Sequence, residues 1–397
     1  MKHGKESSMH NFTYHSPTKV IFGRDTVGAI VPELQGAGIS RVLLLTGGKS
    51  VFDSGLHARV GGLLAEAGIA HETVRGVQPN PRVSKAREAA RVAAETGAQA
   101  IVPIGGGSVF DTAKAVAGAV ASKGDVWDIV EGRHPLVAAL PVYGILTLSG
   151  TSSEINNMAV LNNEETRDKT PIGHPLLFPR VSIVDPSLQF SVPLQQVRYG
   201  GFDAVVHVLE AYLGAGDTAA VIDEHSEAYV RSLMRCLADL PGRETEYALR
   251  SELAFCASYA HSGWASIGRS MRGDFTSHRI GHALGALYDL PHAVTLSVLM
   301  PNWMQYILDQ GIHRELFARF ATRLMGVPDS SGDAAQAGID AFREFIHSLD
   351  MPSLLRDVNV TKKDIPVLAE VAARTLPFGA PVPMDLARIT EVLEYSL

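Results

Sequence analysis

The stretch Ala100-Ile101-Val102-Pro103-Ile104-Gly105-Gly106-Gly107-Ser108-Val109-Phe110-Asp111-Thr112-Ala113-Lys114 decides how this sequence is read. Its apolar start has the pattern of a strand buried on both faces. Three glycines then allow a tight turn and close approach of backbone to a ligand. The Ala-rich segment from Val109 to Ala121 has a helical period. Ser108 and Asp111 are spaced as an N-cap and its capping partner. Free N–H groups and the helix dipole at such a start favour an anion, most simply the pyrophosphate of a dinucleotide. A glycine turn before a capped helix with no ligand accounts for these residues equally well.

The grammar repeats on both sides. Val42 to Leu45 and Val181 to Val184 are further continuous apolar runs, and Val83 to Thr96 is another amphipathic stretch. Strand, turn, helix, strand predicts an α/β unit with a mainly parallel sheet. Pro135 to Leu148 is too short to span a bilayer and reads as a buried strand. From about Arg198 onward only helical patterns follow: Tyr199 to Leu213, Asp223 to Leu237, Glu246 to Trp264, His278 to Tyr288, Arg314 to Met325 and Ala334 to Leu349. Glycines and prolines, among them Pro291, Pro301 and Pro366, are read as the punctuation between them. The expected organisation is a flexible lead over residues 1–11, an α/β dinucleotide-binding domain over 12–192, and an all-helical metal-binding domain over 193–397. A cleft between two such domains is where a ligand is expected.

Composition narrows the function. The chain has 397 residues, 46% hydrophobic and 19% charged, with 42 acidic and 35 basic side chains. A net charge of −7 argues against a general nucleic-acid binder. Two cysteines, Cys236 and Cys256, are too few for a disulfide framework or an iron–sulfur cluster. The polar N-terminus has no apolar core of a secretory signal, so a cytoplasmic protein with no membrane partner is expected.

Three further constellations could carry chemistry. Gly48-Lys49-Ser50 resembles the end of a phosphate-binding loop for ATP, but Leu43 stands where that motif needs glycine. Thr147-Leu148-Ser149-Gly150-Thr151-Ser152-Ser153 clusters hydroxyls that could hold phosphate or ribose, although a plain polar turn explains it as well. Asp203 and His207 lie one helical turn apart, as do His278 and His282, with His292 close behind. One carboxylate and several imidazoles suit a divalent first-row ion. With fifteen histidines in the chain, the case rests on these pairs together.

In order, the motifs at Pro17–Gly23, Pro79–Pro81, Gly105–Lys114, Gly150–Glu154, Asp185–Pro186, Gly201–Tyr212 and His278–His292 resemble those of the iron-containing, or group III, alcohol dehydrogenase family. The branch it looks most like is the butanol-dehydrogenase-like, NADPH-dependent aldehyde reductases. That resemblance implies an oxidoreductase moving hydride between NAD(P)(H) and a primary alcohol or aldehyde, as a homodimer. It implies one divalent ion, Fe²⁺ or Zn²⁺ with Ni²⁺ or Co²⁺ also suitable, on Asp203, His207, His278 and His292. His282 then stands beside the nicotinamide, as a proton relay or an orienting group. The implied cofactor contacts are Gly47, Gly48, Lys49, Ser50, Asn80, Gly105, Gly106, Gly107, Ser108, Asp111, Thr147, Leu148, Thr151, Ser153 and Lys169. Members that prefer NAD tend to carry an acid near Gly48, which would repel a 2′-phosphate. Its absence here, with Lys49 adjacent, leans toward NADP(H). Ser152 departs from the family, which usually has glycine there. A lyase or cyclase resembling 3-dehydroquinate synthase is the alternative, but its substrate needs several basic groups. Only Arg269, Arg272 and Arg279 accompany the metal segment.

Overall fold

The structure, a computed structural model, describes residues 9–214, 219–329, 332–378 and 381–397. Residues 1–8, most of the expected lead, lie outside the described residues. The chain forms two compact units. One joins 15–193 with 242–262; the other joins 9–14 with 194–241 and 263–397.

The α/β unit contains strands β1 (Lys19–Phe22), β2 (Arg41–Thr46), β3 (Ala70–Val74), β4 (Ala100–Gly106), β5 (Tyr143–Leu148), β6 (Met158–Asn163), β7 (Asp168–Gly173) and β8 (Val181–Val184). Six of them form a parallel sheet in the order β1-β8-β5-β4-β2-β3, while β6 and β7 make a separate antiparallel pair. Both faces of the sheet are covered, as parallel sheets require. Along β2, Leu43 and Leu45 join the core under helices Val83–Thr96 and Gly107–Ser122, whereas Val42 and Leu44 join the core on the opposite face. The chain leaves β2 toward the edge strand β3 and leaves β4 toward β5 on the other side. The strand order therefore reverses between β2 and β4, and open α/β sheets bind ligands at the carboxyl ends of such a pair.

Two local expectations change. Of Pro135 to Leu148, only Tyr143–Leu148 is strand, because Pro135 and Pro141 have no N–H to give a ladder. Helix Gly107–Ser122 begins at Gly106 with no side-chain cap, so Ser108 lies inside the first turn and is not its N-cap.

In the second unit, helices Leu194–Gly214, Ala220–Asp239, Thr276–Tyr288, His292–Asp309, Arg314–Arg323, Ala334–Ser348, Ile365–Ala373 and Leu386–Tyr395 pack together. Pro301 does not end a helix but lies within His292–Asp309, where apolar burial on all sides outweighs the lost hydrogen bond. Pro366 sits in the first turn of Ile365–Ala373, where a missing N–H costs nothing. Helix Tyr247–Ala260, expected among the helical half, is part of the α/β unit. Among the described residues no helix is long and apolar enough to cross a membrane.

Candidate metal centre and cofactor loops

Helix Leu194–Gly214 is buried along its whole length from Gly201, so its polar side chains must find partners inside the protein. Asp203 and His207 project from it one turn apart, while His278 and His282 do the same from Thr276–Tyr288. His292 is the first residue of the next helix, entered through the left-handed Asp289. From Asp203 Oδ1, His207 Nδ1 lies at 3.5 Å, His292 Nε2 at 3.6 Å and His278 Nε2 at 3.7 Å. These are too long for hydrogen bonds. They are close to the roughly 3.4 Å edge of a tetrahedron whose centre is about 2.1 Å from each donor. Asp203 Oδ1 and His278 Nε2 are fully buried with no hydrogen-bond partner. A buried carboxylate oxygen facing three imidazole nitrogens in this spacing fits a divalent cation. Asp203, His207 and His278 each offer a ligand atom, all within 4.8 Å of one another, whereas His292 stands at the edge with 25% of its side chain exposed.

Electrostatics agree with that reading. Burial opposes a charged His278, yet the Glu210 and Asp203 carboxylates around it push its pKa up to about 9. A site that draws a proton onto an imidazole also attracts a metal cation. His282 stands outside the set, with ring centroids 6.5 Å from His278 and 5.8 Å from His292. Sequence reasoning missed Glu210, whose Oε2 lies 2.6 Å from His278 Nδ1. The signal was present, since Glu210 is seven residues after Asp203 on the same helical stripe.

In the α/β unit most of the expected cofactor residues lie at the carboxyl ends of β2, β4 and β5, whereas Asn80 follows β3 and Lys169 is on β7. Gly47 follows β2, and its carbonyl accepts from Gly76 N–H at 2.9 Å; Gly48 is open to solvent, and exposed Lys49 is the N-cap of the short helix Ser50–Asp53. Gly105 and Gly106 end β4, and Gly107 opens the following helix. A Cβ on Gly107 would lie 2.3 Å from Thr151 Oγ1, so the loops after β4 and β5 touch there. Thr147 and Leu148 end β5. Lys169 donates to Asn80 Oδ1 at 2.8 Å, which joins the β6–β7 pair to the loop after β3.

Asp111 and Ser153 have a further task. Ser153 Oγ donates to Asp111 Oδ1 at 2.6 Å, and Val160 N–H donates to Oδ2 at 3.0 Å. Buried Lys114 donates to Ser153 Oγ, Asn156 Oδ1 and the Met158 carbonyl at 2.9, 3.0 and 2.7 Å. Burial pulls the Lys114 ammonium down to about 8. This network fixes the loop after β5 from beneath. Ser152, the departure from glycine, has a φ of 56°, the left-handed region that favours glycine. Its hydroxyl donates to the Ala257 carbonyl and accepts from His261 N–H, both at 2.8 Å.

A family model described as iron-containing alcohol dehydrogenase matches residues 17–186, and one for the C-terminal part of the same family matches 197–397. The chain belongs to the iron-containing alcohol dehydrogenase family. Like other members, it is an oxidoreductase of the alcohol dehydrogenase and aldehyde reductase kind, with a nicotinamide cofactor and a divalent metal implied by the family. It is similar to the NADH-dependent butanol dehydrogenase A of Clostridium acetobutylicum, 33% identical over 98% of this chain and 100% of that one. It is 29% identical to the NADPH-dependent aldehyde reductase YqhD of Escherichia coli, over 91% of this chain and 92% of that one. The crystal structure of the NADH-dependent butanol dehydrogenase A of Thermotoga maritima superposes with a TM-score of 0.94 at 35% identity, covering 98% of this chain and all of that one. The cyclase alternative is not favoured, since these relatives are named for alcohol or aldehyde chemistry. Arg269, one of three basic groups available to it, is wholly buried and held by Asp223 at 2.6 Å.

Proposed function

We propose that this family member interconverts a primary alcohol and its aldehyde with NADP(H) in preference to NAD(H), as a cytoplasmic homodimer. One divalent ion, Fe²⁺ or Zn²⁺ with Ni²⁺ or Co²⁺ as further candidates, is held by Asp203, His207, His278 and His292. The observation that carries the reading is the single carboxylate oxygen with three imidazole nitrogens 3.5–3.7 Å away. When bound, such an ion supplies Lewis acidity that lowers the pKa of a hydroxyl and polarises a carbonyl. Asp203 contributes the one negative charge of the set, so a divalent ion there keeps a net positive charge for an oxygen ligand. His282, whose ring centroid lies 5.8 Å from that of His292, is the residue proposed to hold or pass on a proton. The glycine-rich turns after β2 and β4 are proposed to hold the dinucleotide, with Gly105, Gly106, Gly107 and Ser108 on its phosphates. The NADP(H) preference rests on the absence of an acid over Gly47 to Ser50 and on the exposed Lys49. The names of the relatives weigh against it, since the Clostridium and Thermotoga proteins are named NADH-dependent and YqhD, at lower identity, NADPH-dependent.

The test strips the protein with a chelator, restores single metals, and follows NADPH and NADH oxidation across linear aldehydes. Turnover should vanish on stripping and return with Fe²⁺ or Zn²⁺, with the higher kcat/KM for NADPH. Full turnover by the stripped protein would sink the metal assignment, and a higher kcat/KM for NADH would sink the cofactor assignment.

A further inference from the structure

The helix that carries Asp203 and His207 also carries Glu210, which is 1% exposed. A carboxylate this deeply buried is retained only where partners satisfy it. Its Oε1 accepts from Ser277 Oγ and lies 3.4 Å from His278 N, while its Oε2 faces His278 Nδ1 at 2.6 Å. Its own carbonyl accepts from Asp274 N–H at 2.9 Å, which ties the segment before helix Thr276–Tyr288 to the same turn. Glu210 therefore grips His278 through the residue before it, its backbone and its ring.

Neutral imidazole has one N–H and one lone pair, and the partner of one nitrogen decides which is which. With a carboxylate at Nδ1, the proton resides there and Nε2 carries the lone pair. Nε2 is the atom turned toward Asp203 Oδ1, 3.7 Å away. We infer that Glu210 is a positioning residue: its carboxylate fixes the His278 tautomer and ring orientation, so that Nε2 is presented to the cation. The inference rests on the metal reading proposed above. Loss of a carboxylate that orients a ligating imidazole typically weakens metal affinity 10–100-fold.

Two measurements on Glu210→Gln test it. The first titrates the stripped protein with Zn²⁺ and with Co²⁺ against a chromogenic chelator, recording the visible Co²⁺ spectrum. The second records long-range ¹H–¹⁵N correlations of histidine-labelled, metal-free protein at pH 10, where the His278 imidazole is neutral, and so separates the Nδ1–H from the Nε2–H tautomer. Glu210→Gln should bind both ions about 10–100-fold more weakly, alter the Co²⁺ bands, and lose the uniform Nδ1–H signal of His278. Ser277→Ala, a milder change that frees one carboxylate oxygen, should fall between wild type and Glu210→Gln. It provides the same readouts if Glu210→Gln does not fold. Wild-type affinity together with an unchanged His278 tautomer in these variants would overturn the inference. If the wild-type protein itself binds neither ion, the metal reading fails; the tautomer measurement still decides whether Glu210 sets the His278 ring.

Discussion

Ser152 poses a quantitative contest between backbone strain and hydrogen bonding. A non-glycine residue in the left-handed region costs roughly 1–2 kcal/mol. Against this, the Ser152 hydroxyl makes two buried bonds, to the Ala257 carbonyl and from His261 N–H, at 2.8 Å each. Each bond contributes about 1 kcal/mol net, and a buried partner left unmatched costs about 1–3 kcal/mol. Ser152→Ala keeps the strain and loses both bonds, so it should destabilise the protein by about 2–4 kcal/mol. Ser152→Gly restores the family's usual residue and relieves the strain, so the loss should shrink to about 1–3 kcal/mol. The expected order of urea midpoints is wild type, then Ser152→Gly, then Ser152→Ala. Midpoints from circular dichroism suffice, because the order carries the argument. A Ser152→Gly protein more stable than wild type would show that strain dominates and that the hydroxyl contributes little.

Three other outcomes are expected. Gly48→Asp places a carboxylate beside Lys49 and should move the NADPH/NADH ratio of kcat/KM toward NADH by tenfold or more, about 1.4 kcal/mol; an unchanged ratio rejects the selecting role of this turn. Asp223 holds buried Arg269 at 2.6 Å and Arg319 at 2.7 Å, so Asp223→Asn should cost about 3–5 kcal/mol in urea unfolding, whereas a loss under 1 kcal/mol would mean that the arginines find other partners. Burial, with Glu210 nearby, pushes Asp274 up to about 7 from an ordinary 3.8, despite bonds from Thr276 and Trp303. The folded state thus holds a proton that the unfolded chain releases near pH 4. This contribution is complete below that pH and is lost as the pH rises through 7. Melting temperatures of Asp274→Asn should be flatter than wild type between pH 5 and 8, and parallel curves would contradict the shift.

The sequence revealed most where residue type and period acted together. The apolar runs at Val42, Ala100 and Val181 became β2, β4 and β8 because strands buried on both faces need no alternation. Helical spacing singled out two pairs, Asp203 with His207 and His278 with His282, but only the fold brings His278 to Asp203. The β6–β7 pair was invisible, since Met158–Asn163 and Asp168–Gly173 are short, the second carries Pro171, and both gain order from the Lys114 and Asp111 network. Helix His292–Asp309 was hidden by Pro301, because burial outweighs the local rule. The cap expected at Ser108 failed for another reason: Asp111 satisfies Ser153 and Val160 instead of its own helix.

The excursion of residues 242–262 into the α/β unit bears on how the protein is made. Ala254 from that excursion shares a core with Phe110, Leu146 and Val184, and Arg250 donates to the Gln189 carbonyl at 2.6 Å. A nascent chain released as far as Pro193 has every strand of the sheet but not the helix that seals this patch. Until residue 262 clears the ribosome, that half displays an apolar surface and should depend on chaperones. A truncation placed at the apparent domain border would keep the same defect permanently.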